Sequence, residues 1–97
     1  MSISTFTRFS GGNREALLAL AKQGKPILEK AGADLVRVAQ IHTGQHAGDL
    51  LVRVGYPNWE AYGNAQDSLA HNRAYQDIMS EVSGHLADRV IVVGIDL

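Results

Sequence analysis

The chain has 97 residues, a net charge of −1, an apolar share of 45% and no cysteine. That composition suits one modest core in a single domain, residues 1–97, and excludes a disordered chain. Nine Lys and Arg spread along the sequence offer no concentrated basic surface, so no nucleic-acid partner is expected. No apolar stretch approaches the ~18 residues of a membrane span, so no membrane partner is expected either. Without cysteine there is no disulfide, no thiolate nucleophile and no Cys-based metal site. The opening residues 1–5 lack the charged and apolar regions of a signal peptide, and the expected location is the cytoplasm.

Residues 3–10, rich in Thr and Phe, read as a first strand ended by Gly11-Gly12. Asn13 is a suitable N-cap for a helix over 14–31, whose Leu17, Leu20, Ala21, Ile27, Leu28 and Ala31 share one face. Pro26 has no amide proton to give residue 22, which predicts a kink or break near Gly24. Gly32 is a natural left-handed stop.

Residues 34–43 and 49–56, dense in Val, Leu and Ile, read as the second and third strands. Gly44-Gln45-His46-Ala47-Gly48 joins them as a hairpin loop. A hairpin centred near His46 puts Val36, Val38, Gln40 and His42 on one face with Leu50, Val52, Val54 and Tyr56. Leu35, Arg37, Ala39 and Ile41 then share the other face with Leu51, Arg53 and Gly55. Pro57-Asn58 makes a turn and cap. A helix carrying Trp59, Tyr62, Gly63, Gln66 and Leu69 follows, restarts at Asn72 and ends at Ser83-Gly84. The last strand covers 89–95. The order β-α-β-β-α-β is the ferredoxin-like α+β arrangement, an antiparallel four-stranded sheet with both helices on one face.

Helices on one side leave the other side of the sheet open. An open antiparallel face normally shows polar residues to water. Here the last strand is apolar on both faces, and Leu35, Ala39, Ile41 and Leu51 also lie away from the helices. Such a patch predicts a two-fold homodimer, sheet against sheet. Arg37 and Arg53 are the awkward members of that face.

The element order, together with Gly55-Tyr56-Pro57-Asn58-Trp59-Glu60-Ala61-Tyr62, Ala65-Gln66 and Leu69-Ala70, resembles the dimeric α+β barrel superfamily. The pattern resembles in particular its NIPSNAP-like and antibiotic-biosynthesis-monooxygenase-like members. The resemblance implies two sheets closing a barrel across a dimer, with a pocket between each sheet and its own helices. The functions it implies range from cofactor-independent oxidation of aromatic polyketides to haem degradation, and fold does not choose among them.

His42, on the helix-side face near Gln40 and Tyr56, is the candidate general base or substrate-orienting group. The competing reading is a strand-end His bonded to a loop carbonyl, and the lack of a partner acid at recognisable spacing favours it. His46 lies four residues on, but a strand end and a loop do not align the two imidazoles as a helix would, and no third metal ligand is evident. His71 and His85 read as capping or surface residues. Tyr56, Trp59 and Tyr62 form an aromatic cluster whose default role is packing. In a binding role they wall a pocket with room left by Gly55 and Gly63, and Gln40, Asn58 and Gln66 supply polar groups. No nucleophile elbow, phosphate loop or dinucleotide fingerprint occurs, and no metal or cofactor is expected. Two functions compete. One is an oxygenase-like enzyme without cofactor, acting on a small aromatic or hydrophobic substrate. The other is a non-enzymatic module for small-ligand binding or dimerisation.

Overall fold

The computed structural model describes residues 2–97. The elements run β1 (Ile3–Phe9), α1 (Arg14–Ala31), β2 (Leu35–Gln40), β3 (Leu50–Tyr56), α2 (Trp59–Ala70), α3 (Arg73–Val82), a short 3-10 turn (Ser83–His85) and β4 (Leu86–Val93). The strands form one sheet in the order β2-β3-β1-β4, every neighbour antiparallel. This is the ferredoxin-like α+β arrangement.

Each helix starts on an asparagine. The side-chain oxygens of Asn13, Asn58 and Asn72 accept from the backbone N–H of Ala16 (3.1 Å), Ala61 (2.8 Å) and Tyr75 (2.9 Å). Each bond satisfies an amide that has no partner inside its helix. α1 stops at Gly32 (φ 125°), whose N–H donates to the Glu29 carbonyl, while Ala33 N–H donates to the Leu28 carbonyl. The break expected near Gly24 does not occur, and α1 runs through Pro26 uninterrupted. Pro26 and Lys22 both face solvent, so water can serve the Lys22 carbonyl that Pro26 leaves without a donor.

Strand pairing fixes the two faces. Leu35↔Gly55 through Gln40↔Leu50 centre the hairpin on Gln45. One face therefore carries Val36, Val38, Gln40, Leu50, Val52, Val54 and Tyr56, joined from β1 by Ile3, Thr5, Thr7 and Phe9. This is the grouping read from the sequence, and it is the face the helices cover. The core sits there, with Ile3, Leu28, Val36, Val54, Tyr56, Ala65 and Leu69 all buried. A smaller cluster of Leu17, Leu50 and Val82 lies further along.

β2 ends at Gln40, three residues short of the expected Thr43. Past that point the chain winds into a loop necked by two bonds, Ile41 N–H to the Asp49 carbonyl (2.9 Å) and Gly48 N–H to the Ile41 carbonyl (2.7 Å). Gly44 (φ 100°) and Gly48 (φ 95°) supply the turn conformations that L side chains resist. The Arg8 guanidinium donates to the Asp49 carboxylate at 2.7 Å and pins this loop to β1. β4 starts three residues earlier than the expected Arg89 and ends at Val93, with an irregularity at Arg8/Phe9 where it meets β1.

Every residue of β4 is exposed, including Val90 (49%), Ile91 (47%) and Val92 (44%). On the open face Val90 and Val92 adjoin Phe6 and Ser4 of β1. Arg37 and Arg53 lie directly opposite each other on that face, an unfavourable like-charge pairing. Arg53 relieves part of it by turning over the Phe6 ring, 5.6 Å from the centroid, where its Nε donates to the Ser4 hydroxyl at 3.4 Å. No helix among the described residues is long and apolar enough to cross a membrane.

Candidate functional site

The sheet and helices do not close on each other completely. Between them lies a cavity of about 90 Å³. β1, β2 and β3 give it a floor of Thr5, Thr7, Val36, Val38, Val52 and Val54, and α1 and α3 roof it with Leu28, Ile78 and Met79 among others. Gly24 of α1 is part of that roof. It is buried, yet beyond the adjoining α1 backbone no atom lies within 4 Å of where its Cβ would be. The missing side chain is thus one reason the space exists.

Most of the wall is apolar. Its larger polar groups are Tyr56, Gln66, Tyr75 and Arg89. Tyr56 ends β3 and is 2% exposed. Tyr62 packs edge-on against it (5.4 Å between ring centres), and Trp59 packs edge-on against Tyr62 (5.8 Å). This stack fixes the Tyr56 ring. Burial pushes the Tyr56 phenol up to about 12; the neighbouring Tyr75 phenol adds to the rise, while Arg89, and Gln66 by hydrogen bonding, oppose it. Burial also raises Tyr75, again against the pull of Arg89. Both phenols are therefore protonated at neutral pH and available as donors. Arg89 is the only β4 residue in the wall and is itself exposed, as is Val38 on the β2 edge; these two mark the open ends of the space. No Asp, Glu or His lines it.

Of the residues singled out from sequence, Tyr56 and Gln66 line the cavity. Tyr62 and Trp59 stand behind Tyr56 as its support, and Trp59 is 49% exposed. Gln40 is exposed, with its side-chain nitrogen 3.5 Å from the Gly48 carbonyl. His42 is not a strand residue beside Tyr56. It sits exposed in the hairpin loop. Six strand steps separate Leu50, at the loop end of β3, from Tyr56, which is about 20 Å. Gly55 and Gly63 leave no room for a ligand there. Gly55 faces the open side, with Asp34 and Leu35 atoms 3.1–3.2 Å from its Cβ position, and Gly63 is on the solvent side of α2. Gly24, read from sequence only as a helix breaker, supplies the room instead. Tyr75 and Arg89 also escaped the sequence reading.

His71 and His85 lie outside the cavity wall. His71 Nδ1 lies 2.9 Å from the Asp67 carbonyl at the end of α2. The His85 ring fills the space beside Gly12, 2.6 Å from where a Cβ would be. Among the described residues no three His, Asp or Glu side chains gather as a metal site would require.

An open sheet, a helical layer on one face and a cavity between them place the chain in a class of known architecture. A NIPSNAP domain protein from Burkholderia xenovorans is similar over 98% of this chain and 95% of its own, with 16% identity and a TM-score of 0.76. SnoaB, a cofactor-independent oxygenase from Streptomyces nogalater, is similar over 99% and 95%, with 6% identity and a TM-score of 0.77. A Chloroflexus aurantiacus protein assigned to the antibiotic biosynthesis monooxygenases is similar over 99% and 95%, with 15% identity and a TM-score of 0.67. The chain shares its fold with these NIPSNAP and antibiotic-biosynthesis-monooxygenase-like proteins. It belongs to the family described as domain of unknown function DUF6854, whose model matches residues 3–93. No curated protein matches it by sequence.

Proposed function

We propose that this chain is a homodimeric barrel protein of the cytoplasm that takes a small hydrophobic molecule between its sheet and its helices. One observation carries the reading: an apolar cavity, left open by Gly24, with the donors Tyr56, Gln66, Tyr75 and Arg89 in its wall. Tyr56 and Gln66 contact the ligand, while Tyr62 and Trp59 hold Tyr56 in place. The dimer rests on the exposed aliphatic run Val90 to Val93 of β4 and its continuation over Phe6 onto the open face. In that dimer Val90 and Val92 lie at the centre, and Val92→Asp converts it to monomer in light scattering. A wild-type chain that stays monomeric at every concentration contradicts this part.

A second reading, cofactor-independent oxygenation of such a molecule, is favoured by the fold likeness to SnoaB. Oxygenation of that kind uses dioxygen as the oxidant and needs a group that takes a proton from the substrate. The wall offers no carboxylate or imidazole, and its phenols are protonated. His42, the base suggested by sequence, is exposed in the hairpin. The cavity thus favours binding over catalysis.

Binding is tested by thermal shift with pentanol, phenol and benzene against wild type and Gly24→Leu. A saturable rise with at least one probe in wild type, absent in Gly24→Leu, supports the reading. No shift with any probe overturns it. The His42→Ala variant keeps the same shift if the imidazole has no part in the site.

A further inference from the structure

The cavity has a chemical asymmetry that a merely apolar ligand would not use. Arg89 lies on the helix-side face of β4, opposite Thr7. Its neighbours along that face, Ile91 and Val93, are aliphatic. An arginine here puts a permanent positive charge at the edge of an apolar space. The ion pairs among the described residues are Arg8–Asp49 and Arg73–Asp77, so Arg89 belongs to neither. No acid lines the cavity, and the preceding residue, Asp88, stands opposite Arg8 in the strand register, on the other face of the sheet. The polar groups sharing the wall with Arg89 are Tyr56, Tyr75, Gln66, Thr5 and Thr7, each with a hydrogen to donate. A positive charge with several donors and no resident anion is complementary to a carboxylate.

The rest of the wall limits what the carboxylate is attached to. An apolar cavity of roughly 150 Å³ accommodates one benzene. The 90 Å³ here is smaller, which leaves room for a tail of about four or five carbons. Larger flat molecules do not fit unless Met79 or Ile78 moves.

We propose that the ligand of this cavity is a short hydrophobic carboxylic acid, its carboxylate on Arg89 with Tyr75 and its tail under Gly24. This rests on the cavity being a binding site, as proposed above. Arg89 is assigned as the residue that selects an anionic ligand over a neutral one of the same shape.

Isothermal titration of the full chain compares hexanoate with hexanamide and carries each through wild type, Arg89→Gln, Arg89→Lys and Gly24→Leu. Wild type is expected to prefer hexanoate by about tenfold or more, the scale of a charge-assisted hydrogen bond. Arg89→Gln erases the preference while still binding hexanamide, and Arg89→Lys retains part of it. Along the series from butanoate to decanoate, affinity peaks near hexanoate and falls beyond it. Equal binding of acid and amide in wild type, or a preference that survives Arg89→Gln, overturns the carboxylate assignment and leaves the cavity reading standing. Absence of binding by both, with pentanol also inert, overturns the cavity reading and this one with it. Since Arg89 is on an exposed strand, circular dichroism of the variants distinguishes lost binding from lost fold.

Discussion

Gly24→Ala is expected to stabilise the protein, an unusual outcome for a substitution at a buried site. Gly24 is interior to α1, and its Cβ position is free of neighbours within 4 Å. Alanine in a helix interior is favoured over glycine by about 0.8–1.0 kcal/mol. The added methyl projects into the cavity and is buried, which contributes about 0.8 kcal/mol more. The total is about 1.7 kcal/mol, or a rise in Tm of about 7 °C or more for a domain of this size. Urea denaturation followed by circular dichroism at fixed protein concentration measures it. The same methyl narrows the cavity, so stability is expected to rise while affinity for small hydrophobic molecules falls. Destabilisation by Gly24→Ala would show that the space beside Gly24 is filled, and the reasoning about the cavity would fail with it.

Other consequences follow from the polar contacts. The Arg8 guanidinium holds the Asp49 carboxyl below its ordinary 3.8. The stabilisation it gives is therefore full above about pH 4 and is lost as pH falls through the lowered folded-state value, and Arg8→Met removes that acid-side loss from urea midpoints taken across the acid range. Tyr56 behaves in the opposite sense. Its phenol is raised from 10.0 to about 12, so its contribution is complete below pH 10 and declines as pH climbs towards 12. Tyr56→Phe flattens this alkaline decline, read from melting temperatures. Asn58→Ala removes the cap bond to Ala61 and costs about 1 kcal/mol in chemical denaturation.

Local chemistry made much of the fold legible. Three asparagines marked three helix starts because a short side-chain oxygen at that position has few other uses. The alternation of Val36, Val38, Leu50, Val52 and Val54 set the sheet faces, because a strand's side chains repeat every second residue. Pro26 misled, since its cost depends on whether the orphaned carbonyl faces water, and that is decided by tertiary packing. His42 misled for a related reason. The hairpin's neck closes at Ile41 and Asp49, so the strand ends before His42, and no pattern in the sequence marks that point. Arg89 was invisible because its meaning comes from neighbours distant in the chain, Tyr56 and Tyr75, that only folding brings together.

The space under Gly24 is proposed to receive a small hydrophobic molecule. Methyl NMR of the full chain during addition of pentanol tests it most directly. Saturable shifts are expected at the interior methyls of Leu28, Val36 and Val54, with Leu18 on the outside of α1 unmoved, and those shifts are lost in Gly24→Leu. Interior methyls that stay fixed while Leu18 moves in proportion to pentanol would contradict it.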